Sequence, residues 1–315
     1  VGDTQEMRVC RVAGLLLGLI FSSFVHGSAP LAVAPNDDEH YQRGWYIAEA
    51  VVDCQGCHTR RDPPDFSIPA EAEWSGGELF GEAWLMPGDL VPPNLTPDKQ
   101  TGLGNWTTQQ IKNAIRNGVN RDGERLFPLM PSHLYQVMSD RDLDALVYYL
   151  QSLPERKQPN DKKTKLKIKR SDISPLPTPT NVPEPPNDPI ERGKYLLTLG
   201  NCLSCHSPTL KGQIIEERYL AGGVVINTHF GVMLPPNITP AEKTGIGGYK
   251  KEEFMRLMRK GITRKGTQVM LNYMPWYVYK KMTDEDLNAM YEFLMSNRPI
   301  ENDIYRPENQ FPLGN

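Results

Sequence analysis

The chain has 315 residues and a mass of 35.6 kDa, enough for two domains or three. Hydrophobic residues make up 39% and charged residues 23%, so the chain can bury a core and is not disordered as a whole. The 35 Lys and Arg nearly balance the 38 Asp and Glu, which argues against a nucleic-acid protein. Five cysteines are too few for a disulfide-dense scaffold.

Met7, Arg8 and Arg11 precede an apolar run of 14 residues, Val12 to Val25, and small residues follow at Gly27-Ser28-Ala29, Ala32 and Ala34. This is the order of a secretory signal peptide, expected over residues 1–34, with residues 1–6 read as upstream sequence. An uncleaved membrane anchor is the alternative, although 14 residues is short for a span. Cys10 lies before the apolar run and is read as incidental. No stretch has the ~18–20 apolar residues of a spanning helix, which excludes a polytopic membrane protein.

Beyond that segment the chain repeats itself. Arg43-Gly44-Trp45-Tyr46 matches Arg192-Gly193-Lys194-Tyr195, and Cys54-Gln55-Gly56-Cys57-His58 matches Cys202-Leu203-Ser204-Cys205-His206. Gly76-Gly77 matches Gly222-Gly223, Pro93-Asn94-Leu95-Thr96-Pro97 matches Pro236-Asn237-Ile238-Thr239-Pro240, and Met130-Pro131 matches Met274-Pro275. The offset drifts only from 149 to 143 residues. Two copies of one domain are expected at 37–153 and 188–303, with a linker at 154–187 and a tail at 304–315.

In chain order, a helix through Trp45, Ile47, Ala48, Val51 and Val52 leads into Cys54, and a middle helix covers Thr108 to Arg116 and stops at Gly118. Ser139 and Asp142 stand at capping-box spacing before the stripe Leu143, Leu146, Val147, Leu150. The linker is rich in proline and lysine and reads as semi-rigid polyproline II. Within it Lys165 to Lys169 alternates, as a short edge strand or a solvated basic stretch. Copy two repeats the helices. Asp188-Pro189 starts the first, Lys251 to Arg259 is the second, and Thr283 with Asp286 starts the last. Gly44 and Gly193 sit inside helices, where glycine costs ~1 kcal/mol against alanine, and mark close helix crossings. The fold is mainly α, with long loops.

Such loops need an anchor. Cys54-x-x-Cys57-His58 and Cys202-x-x-Cys205-His206 have the spacing of c-type haem attachment. Two thiols hold the ring through its vinyl groups, and the histidine beside the second becomes the proximal ligand of the iron. Two covalently bound haem c groups are expected. Zinc would need four ligands and would have to bridge the copies; a thioredoxin-like pair wants an α/β context. For the sixth ligand the repeat selects Met130 and Met274, each followed by proline. Met86 and Met233 lack that context. Among histidines, His26, His40 and His229 have no partner in the other copy, and His133 remains a competitor in copy one. Trp106 and Tyr249 occupy equivalent positions and are candidates for holding propionates.

From about Asp38 onward the chain resembles the two-haem cytochromes c, as two tandem class I cytochrome c domains joined by the Pro/Lys-rich linker. It is similar to the cytochrome c subunits of membrane-associated dehydrogenases. Those often carry three haems; this chain has two attachment motifs. The resemblance implies an N-terminal helix crossing a C-terminal helix near Gly44 and Gly193. It implies electron transfer between an exported dehydrogenase or other donor and a respiratory acceptor, an oxidase or cytochrome, on the periplasmic or outer face of the membrane. No nucleic acid is a partner. Met/His ligation raises the potential of both centres. A di-haem enzyme, such as a peroxidase or a thiosulfate-oxidising cytochrome, is the alternative; the matched methionines favour the carrier. Charge is polarised: residues 36–153 carry a net −9, 154–189 a net +3 and 190–315 a net +3. Opposite poles suit two partners or attraction between the copies, and steered docking would slow steeply with salt.

Overall fold

Apolar residues at helical spacing, with caps and stops at the expected places, make the fold mainly helical. The computed structural model describes residues 38–61, 68–81, 86–157, 163–210, 212–228, 231–270 and 274–304. The expected signal region, Cys10, His26, His229 and the residues beyond Ile304 lie outside the described residues.

Copy one begins with α1 (Glu39–Tyr46), capped by Asp38, whose carboxylate accepts from the His40 N–H. One π turn, Ile47–Val51, continues it. The reason is in the numbering. Arg43 to Cys54 spans one residue more than Arg192 to Cys202, and a π turn absorbs one extra residue without breaking the helix. Then follow α2 (Cys54–His58), α3 (Thr108–Lys112, extended by a π turn to Asn117), α4 (Ser132–Tyr135) and α5 (Asp140–Gln151). Copy two repeats the set as α6 (Pro189–Leu199), α7 (Cys202–His206), α8 (Lys251–Lys260), α9 (Trp276–Tyr279) and α10 (Asp284–Ser296). Gly118 and Gly261 end α3's extension and α8 in the left-handed conformation, as expected.

Gly44 and Gly193 mark the two helix crossings. A Cβ on Gly44 would lie 2.1 Å from the Ala145 carbonyl oxygen on α5, and one on Gly193 would lie 2.1 Å from that of Ala289 on α10. Each first helix therefore lies backbone-to-backbone on its own last helix. Leu143, Leu146, Val147, Leu196, Leu287 and Met290 are buried around these crossings.

The expected capping boxes form by half. Ser139 Oγ accepts from the Asp142 N–H and Thr283 Oγ1 from the Asp286 N–H, both at 3.1 Å. The aspartate side chains do not return to the cap. Asp142 takes Nε and Nη2 of Arg43, at 2.6 and 2.8 Å, and Arg192 pairs through Nε with Asp286.

Those aspartates also join the copies. Tyr195 of copy two donates to Asp142 at 2.6 Å and accepts from the Ser139 N–H at 3.1 Å. Tyr46 of copy one donates to Asp286 and accepts from the Thr283 N–H at 3.2 Å. The repeat has thus become a reciprocal exchange of tyrosines, each satisfying a fully buried carboxylate across the junction.

The linker lies along copy one. The alternating lysine stretch supplies β2 (Lys165–Leu166), antiparallel to β1 (Gly88–Asp89). Further on, Gln136 donates to the Pro177 carbonyl at 2.6 Å and the Asp140 N–H to that of Val182 at 2.9 Å. Copy two carries the hairpins β3 (Thr209–Leu210) with β4 (Gln213–Ile214) and β5 (Ile226–Thr228) with β6 (Gly231–Met233).

Candidate haem sites

Each attachment motif is a short helix held by one left-handed residue. Asp53 (φ 58°) and Asn201 (φ 59°) turn the chain into α2 and α7. The Asp53 side chain then caps the turn through the Gly56 N–H at 3.1 Å. In one helical turn, positions i and i+3 share a face, so Cys54 and Cys57 point the same way, as do Cys202 and Cys205. None is in a disulfide. Burial pushes the Cys57 and Cys202 thiols up to about 12 and raises Cys54 and Cys205 as well. A redox dithiol needs the opposite shift, which disfavours the thioredoxin-like reading. Among the described residues no three His, Cys, Asp or Glu side chains gather as a metal cluster, so the zinc reading finds no ligand set.

The histidines are oriented by the second repeated motif. His58 Nδ1 donates to the Pro93 carbonyl at 2.9 Å and His206 Nδ1 to the Pro236 carbonyl at 2.7 Å. That bond fixes the tautomer, with the proton on Nδ1, the arrangement of a metal-ligating imidazole. Burial lowers the His58 pKa and favours the neutral, ligating form. The carbonyls are brought in by the paired glycines. A Cβ on Gly76 would lie 2.5 Å from Pro93 backbone, and one on Gly222 2.4 Å from that of Pro236. Both also have positive φ, 72° and 70°. Asn94 locks the loop: its amide donates to Thr101 at 2.9 Å and to the Arg156 carbonyl at 2.8 Å. Asn237 repeats this with Thr244 and Ile300 at 3.1 and 2.7 Å. The sequence displayed these loops as repeats without revealing that they aim the imidazoles.

Met130 and Met274 occupy matching turns. Each is partly buried against the core, each proline begins a short helix, and the Ser132 and Trp276 N–H groups donate to the two methionine carbonyls at 2.8 Å. His133 is exposed on α4. His40 stacks edge-on against Tyr148, with ring centroids 5.2 Å apart. Met233 is buried on β6.

The donor set in each copy is therefore two thiols on one helical turn, an imidazole with one nitrogen committed, and a thioether on a proline-fixed loop. That set fits a haem attached through its vinyl groups. Residues 190–298 match the family described as "Cytochrome c", and residues 39–150 match "Cytochrome C oxidase, cbb3-type, subunit III". Two cytochrome c domains stand in tandem. This c-type cytochrome is 27% identical over 277 residues to the fructose dehydrogenase cytochrome subunit of Gluconobacter japonicus, covering 81% of the chain and 52% of that relative. It is 26% identical over 312 residues to the cytochrome c subunit of the quinone alcohol dehydrogenase of Gluconobacter oxydans, covering 93% and 61%. It is 30% identical over 203 residues to a diheme c-type cytochrome of Cereibacter sphaeroides, covering 60% and 64%. The cytochrome thus spans between half and two thirds of the length of these relatives. Its domains imply covalently bound haem c and a role in electron transfer.

The two sites also meet across the junction. Tyr277 on α9, three residues past Met274, donates to Asp53 at 3.2 Å, immediately before Cys54. Lys281 reaches Glu49 on the π turn at 2.8 Å. Sequence reading missed Asp53 and Tyr277 because their copy counterparts, Asn201 and His133, differ.

Proposed function

We propose that this cytochrome is a two-haem electron carrier with domains at 37–153 and 188–303. It takes electrons from an exported dehydrogenase and delivers them to a respiratory acceptor at the outer face of the membrane. In copy one Cys54 and Cys57 would hold the ring, and His58 and Met130 would ligate its iron. In copy two the set is Cys202, Cys205, His206 and Met274. The bound groups supply one-electron chemistry at iron. The protein's part is orientation and exclusion: Pro93 and Pro236 fix the imidazoles, and the proline-anchored loops present the methionines. The observation that carries the reading is the duplicated Nδ1–carbonyl bond, which orients the imidazole and fixes its tautomer in each copy. Ligation by both histidine and methionine would suit a carrier and would raise the potential. The dehydrogenase relatives support a dehydrogenase as donor.

The test is spectroscopic. The purified holoprotein should contain two haem c per chain, both low-spin. Met130→Ala and Met274→Ala should each turn one haem high-spin and leave the other unchanged. A single haem per chain, or a high-spin haem in the unmodified protein, would replace this reading with the di-haem enzyme.

A further inference from the structure

The two copies differ on the loop ahead of the methionine. In copy one, the base of the hairpin around Val119 and Arg125 is tied to the linker, while its tip, residues 121–124, is exposed. Arg170 donates to the Arg125 carbonyl at 2.7 Å and pairs with Glu124 at 3.5 Å; Arg125 in turn donates to the Ser171 carbonyl at 3.1 Å and to that of Ile173. Leu176 reaches Gly118. The counterparts of the anchors Glu124 and Arg125 are Thr267 and Gln268, which cannot form these pairs. Among the described residues, the hydrogen bonds of the copy-two hairpin come from its own copy. Arg256 donates to the Thr263 carbonyl at 3.2 Å and Trp276 to that of Val269 at 3.0 Å. Residues 264–268 are exposed in a row, and Met270 is 38% exposed where Phe127 is half-buried.

Charge changes with exposure. Copy one has Asn117, Arg121, Asp122 and Glu124 at four positions where copy two has Lys260, Arg264, Lys265 and Thr267. The first set sums to −1 and the second to +3. Lys260 belongs to the patch because Gln268 donates to its carbonyl at 3.1 Å. The acid facing the hairpin is Glu253, 3.5 Å from Arg264, whose side chain stays half exposed. The apolar centre is Met270, whose carbonyl accepts from the Met274 N–H at 3.3 Å.

We propose that this open face of copy two, Lys260, Arg264 and Lys265 around Met270, is the docking surface for an electron-transfer protein that presents a cluster of carboxylates. The inference rests on the two-haem reading above and adds which copy meets that partner. An exposed apolar centre with a cationic rim is the anatomy of a transient interface, and its charge steers encounter. Copy one, net −9 and strapped by the linker on the equivalent face, is left for a different contact.

The test uses the holoprotein and a flavodoxin, an acidic electron-transfer protein, as probe. Haem content and spectra are recorded first; their failure would sink the two-haem reading and not this one. At low ionic strength, Arg264→Glu/Lys265→Glu should weaken flavodoxin binding ~10-fold and flatten the salt dependence of haem reduction. Arg264→Gln/Lys265→Gln should give a smaller loss in the same direction. The same charge change at Arg121 of copy one and Lys163 of the linker, Arg121→Glu/Lys163→Glu, should leave binding within about twofold. Equal losses from the two reversals, or none from the first, would overturn the proposal.

Discussion

Asp53 combines a left-handed backbone, a partly buried carboxylate and a place beside Cys54. Burial raises its pKa to about 6, while the bond from Tyr277, the charge of Arg61 and the Gly56 N–H oppose the rise. The sign follows directly. A carboxyl whose folded pKa lies above its unfolded value is penalised only when ionised. That penalty appears as pH rises past ~4 and is complete above ~6, where two pKa units correspond to about 3 kcal/mol. Copy two shows the remedy: Asn201 holds the same conformation without charge. Asp53→Asn keeps the backbone and an acceptor for Tyr277 and Gly56. It should match the unmodified protein in melting temperature at pH 4 and exceed it at pH 7.5. Thermal melts of the holoprotein across that range check this. A constant difference at all pH values would show that Asp53 ionisation is not its cause.

At the scale of elements, the crossings at Gly44 and Gly193 depend on a missing Cβ. Gly193→Ala would drive a methyl group into the Ala289 carbonyl, so α6 must lift from α10. Overpacking of this kind costs ~1–3 kcal/mol and sometimes more. Denaturant unfolding should show a lower midpoint for Gly193→Ala and Gly44→Ala alike. An unchanged midpoint for both would mean that the crossings are looser than described. These crossings were legible in the sequence because a glycine inside an apolar helix has a cost that something must offset. The cap residues and the Cys-x-x-Cys-His helices were legible for the same reason: their signals are local. The π turn was not. Its trace is a one-residue drift between the copies, with nothing in Ile47 to Val51 to say where the extra residue goes. Half the capping box failed because Asp142 had a stronger, distant offer from Arg43 and Tyr195. Likewise, the carbonyls of Pro93 and Pro236 carry no sequence mark of their own. Their role exists only once the chain returns 35 and 30 residues later to the histidine.

Across the whole molecule, the two copies are joined by groups that cannot be left unpaired. Asp142 and Asp286 are buried, and each is held by its own copy's arginine and by the other copy's tyrosine. The buried acceptors depend on a hydroxyl from across the junction, so separation of the copies would expose or orphan two carboxylates at once. Tyr46→Phe and Tyr195→Phe keep the rings and remove the hydroxyls. Each should cost ~1–3 kcal/mol, the penalty for an unsatisfied buried partner. Arg43, paired with Asp142, also lies 5.6 Å from the centre of the Tyr46 ring, so the two sites share a neighbour and the double variant should depart from the sum. The loss should fall on the junction rather than on either copy's core. Calorimetry of the unmodified holoprotein should therefore give one unfolding transition, and the double variant two. The haem spectra of the folded double variant should match those of the unmodified protein, because the bonds of the two hydroxyls go to Asp142, Ser139, Asp286 and Thr283. Two transitions already present in the unmodified protein would show that the copies fold independently and that the exchanged tyrosines only decorate their contact.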